Sequence, residues 1–98
     1  MPRSRPSLLE RGKLQKAADM LKAVAHPLRL RIIEFLQHEE LSVGKIQDLL
    51  GVSQSLTSQQ LSLMKAKGIL RSRKSGNMVY YGIERPEVIQ VINCLKKS

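Results

Sequence analysis

The side chains best suited to chemistry lie in residues 53–60, which read Ser-Gln-Ser-Leu-Thr-Ser-Gln-Gln and carry no charge. Short hydroxyl and amide groups both donate and accept hydrogen bonds, so they can meet base edges in the major groove of DNA, where Gln pairs bidentately with adenine. Helical spacing gives this segment two faces: Thr57, Leu61 and Met64 inward, Ser55, Gln59 and Ser62 outward, and Ser58 at the flank. The segment is a candidate reader of DNA bases, and a merely hydrated polar face is the alternative.

The positive charge of the chain is concentrated around and after this segment. Lys and Arg number 17 against 8 Asp and Glu, a formal net charge of +9, which predicts an anionic partner such as nucleic acid. Chance clustering on a solvated face is the alternative for the basic groups. Arg29 and Arg31 are weaker candidates, because one of them can pair with Glu34. Residues 49–83 contain no acidic side chain, and we expect their basic groups to contact the DNA backbone: Lys65, Lys67, Arg71, Arg73 and Lys74.

Enzymatic and metal chemistry lack the residues they need. The chain has one Cys and two His, with no catalytic triad, no phosphate-binding loop and no metal-ligand spacing. His26 precedes a proline and His38 begins an acidic stretch, so both are expected to be structural or exposed. We therefore predict that the chain is not an enzyme and binds no metal or other cofactor.

The elements that must position these residues follow from apolar periodicity and capping signals. Ser42 and Ser53 can cap helices, Gly51 and Gly68 can end them, and Pro27 suits a first helical turn. The pattern predicts helices near residues 8–26, 27–39, 43–50, 54–67 and from residue 86, with strands at 69–74 and 78–83 joined by a turn. The order α-α-α-α-β-β-α is a winged helix-turn-helix, a mainly α fold with a small β-hairpin. The tip of this hairpin adds Asn77 as a DNA-backbone candidate.

The length of 98 residues predicts one domain, residues 8–98, preceded by a flexible basic arm, residues 1–7, that holds two Pro and two Arg. No apolar run approaches the ~18–20 residues that a membrane span needs. The basic N-terminus also lacks the apolar stretch of a signal peptide. We therefore expect a cytoplasmic protein with no membrane partner.

Four segments together resemble the ArsR/SmtB family of bacterial winged-helix repressors: AHPLRLRII, ELSVGKI, SQSLTSQQL and GILRSRKSGNMVYYGI. The resemblance spans residues 21–83 and implies a homodimer that binds partly palindromic operators. It places the base-reading positions on Gln54, Ser55, Ser58 and Gln59. It also implies a dimer interface on the first and last helices, where the apolar stripes hold Leu14, Ala17, Leu21, Val88, Val91, Ile92 and Leu95.

The chain departs from this family at its sensing sites. The arsenic- and cadmium-type site uses Cys residues where residues 40–44 here read Glu-Leu-Ser-Val-Gly. The zinc-type site uses Asp and His where this chain has Glu84, Glu87 and Lys97. A third type uses two Cys, of which only Cys94 is present, with Glu34 at the other position. Cys94 is expected to be a buried small apolar residue, with redox sensing as the alternative.

The sequence thus predicts a regulator that binds specific double-stranded DNA, most simply a homodimeric repressor that acts without metal. Three alternatives remain open: an interaction module for a protein partner, an architectural DNA-binding protein, and a thiol-responsive repressor that uses Cys94. The identity of any small-molecule inducer is left open.

Overall fold

The structure, a computed structural model, describes residues 10–97. The predicted arm, residues 1–7, lies outside this range, as do residues 8, 9 and 98 of the predicted domain. The elements have the predicted order, with one short additional strand before the third helix: α1 Arg11–Val24, α2 Pro27–Leu36, β1 Leu41–Ser42, α3 Val43–Leu50, α4 Gln54–Ala66, β2 Leu70–Ser75, β3 Met78–Ile83 and α5 Glu87–Lys96.

The helix boundaries follow the predicted capping residues. The Ser42 hydroxyl accepts a hydrogen bond from the Lys45 N–H, and the Ser53 hydroxyl accepts one from the Leu56 N–H, each at 3.1 Å. Between them Gly51 ends α3 with a φ of 69°, a left-handed conformation that favours glycine. These three residues fix the tight turn between α3 and α4, which is the turn of the helix-turn-helix.

The core gathers one face of every helix and the base of the hairpin. Ile32 and Ile33 of α2 are fully buried, together with Ile46 of α3 and Met64 of α4. Phe35, between Ile33 and Leu36 along α2, is only half-buried. Four apolar residues within five positions of α2 cover more of the helix circumference than the core does, so one of them remains at its edge.

The three strands form one antiparallel sheet in the order β1-β3-β2. β2 and β3 pair over six positions, from Leu70 opposite Ile83 to Ser75 opposite Met78. β1 pairs with β3 over two positions only, and its second residue is also the N-cap of α3. The early end of α2, at Leu36, leaves the chain free to reach this sheet. The hairpin, or wing, is thereby joined to the first helix of the helix-turn-helix.

The terminal helices α1 and α5 differ in how far this chain covers them. Val88 and Ile92 of α5 have 0% and 5% exposure and belong to the core of this same chain. This part of the α5 stripe thus faces its own chain, and the place of both residues in a dimer interface stays a prediction. By contrast α1 buries only Ala23 and Val24, and Leu14 remains 50% exposed.

Candidate nucleic-acid interface

Helix α4 presents the predicted polar face to solvent. Its inward face buries Thr57, Leu61 and Met64, as the helical spacing predicts. The Thr57 hydroxyl, which has no exposed surface, donates to the Ser53 carbonyl at 2.9 Å, so this buried polar group is satisfied. The face opposite is exposed, and it includes all four candidate base-reading residues and one further serine: Gln54, Ser55, Ser58, Gln59 and Ser62.

One buried polar residue of α4 was missed by the sequence analysis. Gln60 is only 8% exposed, and its Oε1 accepts a hydrogen bond from Arg29 Nε at 2.8 Å. Arg29 Nη1 donates to the Ala23 carbonyl at 3.1 Å. Arg29 thus joins the end of α1 to the underside of α4. A signal was present in the sequence, because Gln60 lies three residues after Thr57 and four before Met64, on the inward face.

Arg31, the other arginine of α2 considered for DNA contact, stays on the surface of that helix. Its Nη1 donates to Glu34 Oε1 at 2.7 Å, one turn along. This is the pairing that the sequence offered as the alternative to a DNA contact.

The wing arginines meet a single carboxylate, Glu40, which directly precedes β1. Arg73 Nε lies 2.5 Å from Glu40 Oε1, and Arg71 Nε lies 3.4 Å from Glu40 Oε2. Arg73 also stacks on Tyr80, with its Cζ 4.6 Å from the ring centroid. The hydrogen bond from Arg73 and the charges of both guanidinium groups hold the pKa of the Glu40 carboxyl below its ordinary value. A phosphate contact by either arginine would compete with this carboxylate.

The remaining basic candidates are exposed and make no ion pair among residues 10–97. Lys74 and Asn77 lie at the tip of the wing, where Gly76 turns the chain with a φ of 61°. Lys65 lies in the last turn of α4. Lys67 lines a cleft together with Lys22 of α1, so it sits beside α1 as well as at the end of α4.

The family-type metal sites do not fit the residues present. Glu40 stands where the Cys-type site would form, between two guanidinium groups that repel a cation. At the positions of the zinc-type site, Glu84, which precedes α5, lies 4.0 Å from Arg71, and Glu87, the first residue of α5, lies 3.7 Å from Arg85. Among the described residues, no three His, Cys, Asp or Glu side chains are grouped to hold a metal ion.

Two further observations bear on the predicted partners. Cys94 was expected to be buried, but it is exposed on α5, since the described part of the chain does not cover it. Over residues 10–97, none of the helices combines the length and the apolar character that a membrane crossing requires.

Comparison with known proteins identifies the family. Residues 26–72 match the family model described as bacterial regulatory protein, arsR family. The transcriptional repressor PagR of Bacillus anthracis is 38% identical over 88 residues, which cover 89% of this chain and 88% of PagR. This chain belongs to the ArsR family.

Solved structures of relatives in the ArsR family have the same fold. The crystal structure of PagR superposes with a TM-score of 0.80, covering 88% of this chain and 99% of that one at 38% identity. HlyU from Vibrio cholerae gives a TM-score of 0.81 at 36% identity, covering 91% and 96%. A winged helix-turn-helix DNA-binding domain from Mycobacterium bovis, described as homodimeric, gives 0.75 at 26% identity, covering 95% and 86%. This ArsR-family chain is therefore a transcriptional regulator with a DNA-binding winged helix-turn-helix, and not an enzyme.

The bond from Arg29 to Gln60 predicts a stability difference between two neighbouring arginines. Arg29→Ala leaves the buried Gln60 amide without its partner and should lower the free energy of unfolding by about 1–3 kcal/mol. Arg31→Ala, the matched control on the same helix, breaks only an exposed pair and should cost about 1 kcal/mol or less. Urea denaturation at one fixed protein concentration measures both values. Equal losses would show that the buried bond contributes nothing beyond a surface pair.

Proposed function

We propose that this ArsR-family chain is a homodimeric repressor that binds specific double-stranded DNA operators without a metal. One observation carries the proposal: α4 exposes a neutral face of serine and glutamine residues next to a wing rich in cations. Neutral donors and acceptors discriminate between bases, whereas cations bind every phosphate alike.

Base reading is proposed for the exposed residues in the first half of α4. Recognition helices contact base edges with their N-terminal residues, and the half of α4 that follows Ser53 carries Gln54, Ser55, Ser58 and Gln59. The two glutamine side chains are long enough for bidentate bonds to adenine, and the serine hydroxyls adapt to either donor or acceptor. The burial of Thr57 and Leu61 supports this role, because it fixes the rotation of α4 about its own axis.

Backbone contacts are proposed for Asn77 and for the candidate cations that make no ion pair among residues 10–97. Lys65 and Lys67 lie at the end of α4, and Lys74 and Asn77 lie at the wing tip, so all four follow the base-reading residues along the chain. Arg71 and Arg73 could join them only by leaving Glu40.

Self-association is proposed through the apolar surface that one chain leaves open on α1 and α5. Leu14 and Leu21 are each 50% exposed and Leu95 is 54% exposed, while Ala17 and Val91 are half-buried. The homodimeric M. bovis domain, similar in fold, supports this arrangement. A two-fold dimer would place two α4 helices in successive major grooves, about 34 Å apart.

Metal-independent binding is supported by the pairing of each carboxylate at the family-type metal positions. Glu40, Glu84 and Glu87 all have arginine neighbours, and the charge of those arginines opposes a cation. We therefore propose that DNA affinity is the same with and without a chelator.

Sequence-specific reading is tested by selecting duplexes from a random pool with the protein and measuring anisotropy at ~0.15 M salt with a chelator present. Gln54→Ala or Ser58→Ala should weaken binding to the selected duplex by about 1–3 kcal/mol for each good base contact and leave a scrambled duplex unaffected. Ser62→Ala is the matched control, on the exposed face but in the second half of α4. Equal losses on both duplexes would contradict base reading, and a pool without enrichment would contradict sequence specificity.

The proposed dimer is tested by sedimentation of the free protein. Leu21→Glu places a charge in the apolar surface of α1 and should convert the dimer to a monomer, since an unpaired buried charge is strongly unfavourable. Leu49→Glu is the matched control, because Leu49 is 44% exposed but lies on α3. A monomeric wild type, or a dimer that survives Leu21→Glu, would contradict this interface.

A further inference from the structure

We propose that Glu40 is a positioning residue that sets the angle of the wing against the helix-turn-helix, and that Arg71 and Arg73 serve this joint rather than DNA phosphates. The inference rests on the proposed function, since the angle matters through the DNA that the wing reaches. If Glu40 holds Arg71 and Arg73, the wing can make fewer contacts to DNA phosphates.

The joint consists of one carboxylate between two guanidinium groups. Arg71 and Arg73 are two residues apart in β2, so their side chains share one face of the sheet. Glu40 Oε2 lies 3.4 Å from Arg71 Nε, and Glu40 Oε1 lies 2.5 Å from Arg73 Nε. Arg71 also donates to the Ile83 carbonyl, and Arg73 is held over Tyr80. Both arginines therefore have several partners already.

Gly82 of β3 leaves the space that the Glu40 and Arg71 side chains occupy. A Cβ at Gly82 would lie 2.9 Å from Glu40 Cγ, so close that Glu40 would have to shift, and 3.1 Å from Arg71 Nη2, a tight contact. The φ of Gly82 is not positive, so the backbone conformation does not itself require glycine here. Glycine within a strand commonly marks such a close approach. The Glu40 and Arg71 side chains thus lie directly against β3.

The position of Glu40 in the chain explains how it can affect the angle of the wing. It immediately precedes β1, and Ser42 of β1 caps α3, the first helix of the helix-turn-helix. β1 holds the wing by only two residue pairs, against six between the two wing strands. The Glu40 carboxylate adds a second attachment between the wing and the segment that leads into α3. Loss of this attachment would let the tip, with Lys74 and Asn77, move relative to α4.

The Glu40 carboxyl is ionised near neutral pH, and its lowered pKa reflects the hydrogen bond from Arg73 and the charges of both guanidinium groups, which favour the ionised form. Because the folded value lies below the ordinary one, the ionised joint stabilises the fold at neutral pH, and its contribution is lost as the pH falls through the lowered value. The carboxyl of Glu84, 4.0 Å from Arg71, adds a further negative charge on the same side.

The test measures operator affinity and its salt dependence for paired variants. Glu40→Gln should lower affinity for the selected duplex about two- to fivefold, in keeping with a partly exposed ion pair. Glu39→Gln makes the same change of net charge at an exposed neighbour and should not lower it. Gly82→Ala, which removes no charge but displaces Glu40, should act like Glu40→Gln.

The salt slope distinguishes a positioning arginine from a phosphate ligand. Lys74→Gln should reduce the slope of log affinity against log salt by about 0.9, the value for one phosphate contact. Arg73→Gln should leave the slope unchanged while lowering affinity, and the Glu40→Gln/Arg73→Gln double variant should lose no more than either single variant. A slope reduced by about 0.9 for Arg73→Gln, or a higher affinity for Glu40→Gln, would overturn the proposal.

A second readout separates failure of this inference from failure of the proposed function. If wild-type protein binds no duplex specifically, the proposed function fails, and the joint is tested by urea unfolding of the same variants. Losses that are less than additive for Glu40→Gln and Arg73→Gln would support the joint, because the two residues act together. Additive losses would overturn it whatever the DNA result.

Discussion

The rotation of α4 about its own axis is the constraint on which the rest of the interface depends. Only one face of a helix can meet base edges, and a rotation of α4 by one residue position would bring Leu56 and Leu63, or Thr57 and Leu61, into that face. Leu61 and Met64 set the rotation through apolar packing, and Gln60 adds a directional bond to Arg29. Because Arg29 also binds the Ala23 carbonyl, the setting of α4 is tied to the end of α1. Helix α1, proposed for the dimer interface, and helix α4, proposed to read bases, are thus both hydrogen-bonded to Arg29.

The basic candidates for DNA contact fall into two groups: arginines that bind partners within the chain, and lysines that make no ion pair in its described part. Most basic residues in the described part of the chain are solvent-exposed, but several arginines bind partners within it. Arg29 and Arg31 bind groups on the helices, and Arg71 and Arg73 bind Glu40. The lysines at 65, 67 and 74 make no ion pair in the described part of the chain, so among the candidates for backbone contact they are the cations most available to phosphates. This division follows their chemistry, since the planar guanidinium group suits fixed multiple bonds.

Local patterns were enough to predict most of the fold. Ser42, Gly51 and Ser53 predicted the helix-turn-helix boundaries, because capping depends on residues within one turn. The two faces of α4 followed from spacing alone. The strand β1 was not predicted, since two residues have no periodicity and pair only because β3 lies beside them. The apolar stripe of α5 was predicted, but which of its residues face this chain depends on packing against α2.

The joints between elements could not be predicted from the sequence. Arg29 and Gln60 are 31 residues apart, and Glu40 and Arg73 are 33 apart, so no local pattern connects them. Arg73 was treated as a free cation and Arg29 as a weaker DNA candidate, because a sequence shows charge without showing which distant group it binds. Gly82 was the one indirect sign, as a glycine inside a predicted strand. The sequence therefore predicted the surfaces better than the contacts that hold them in place.

The salt dependence of specificity tests the central claim most directly. If neutral groups of α4 read the bases and cations bind only the backbone, affinities for the selected and scrambled duplexes should both fall steeply with salt. The ratio between the two affinities should stay nearly constant, because neutral base contacts release no counterions. A ratio that collapses toward one as salt rises would contradict the claim and assign the discrimination to the cations.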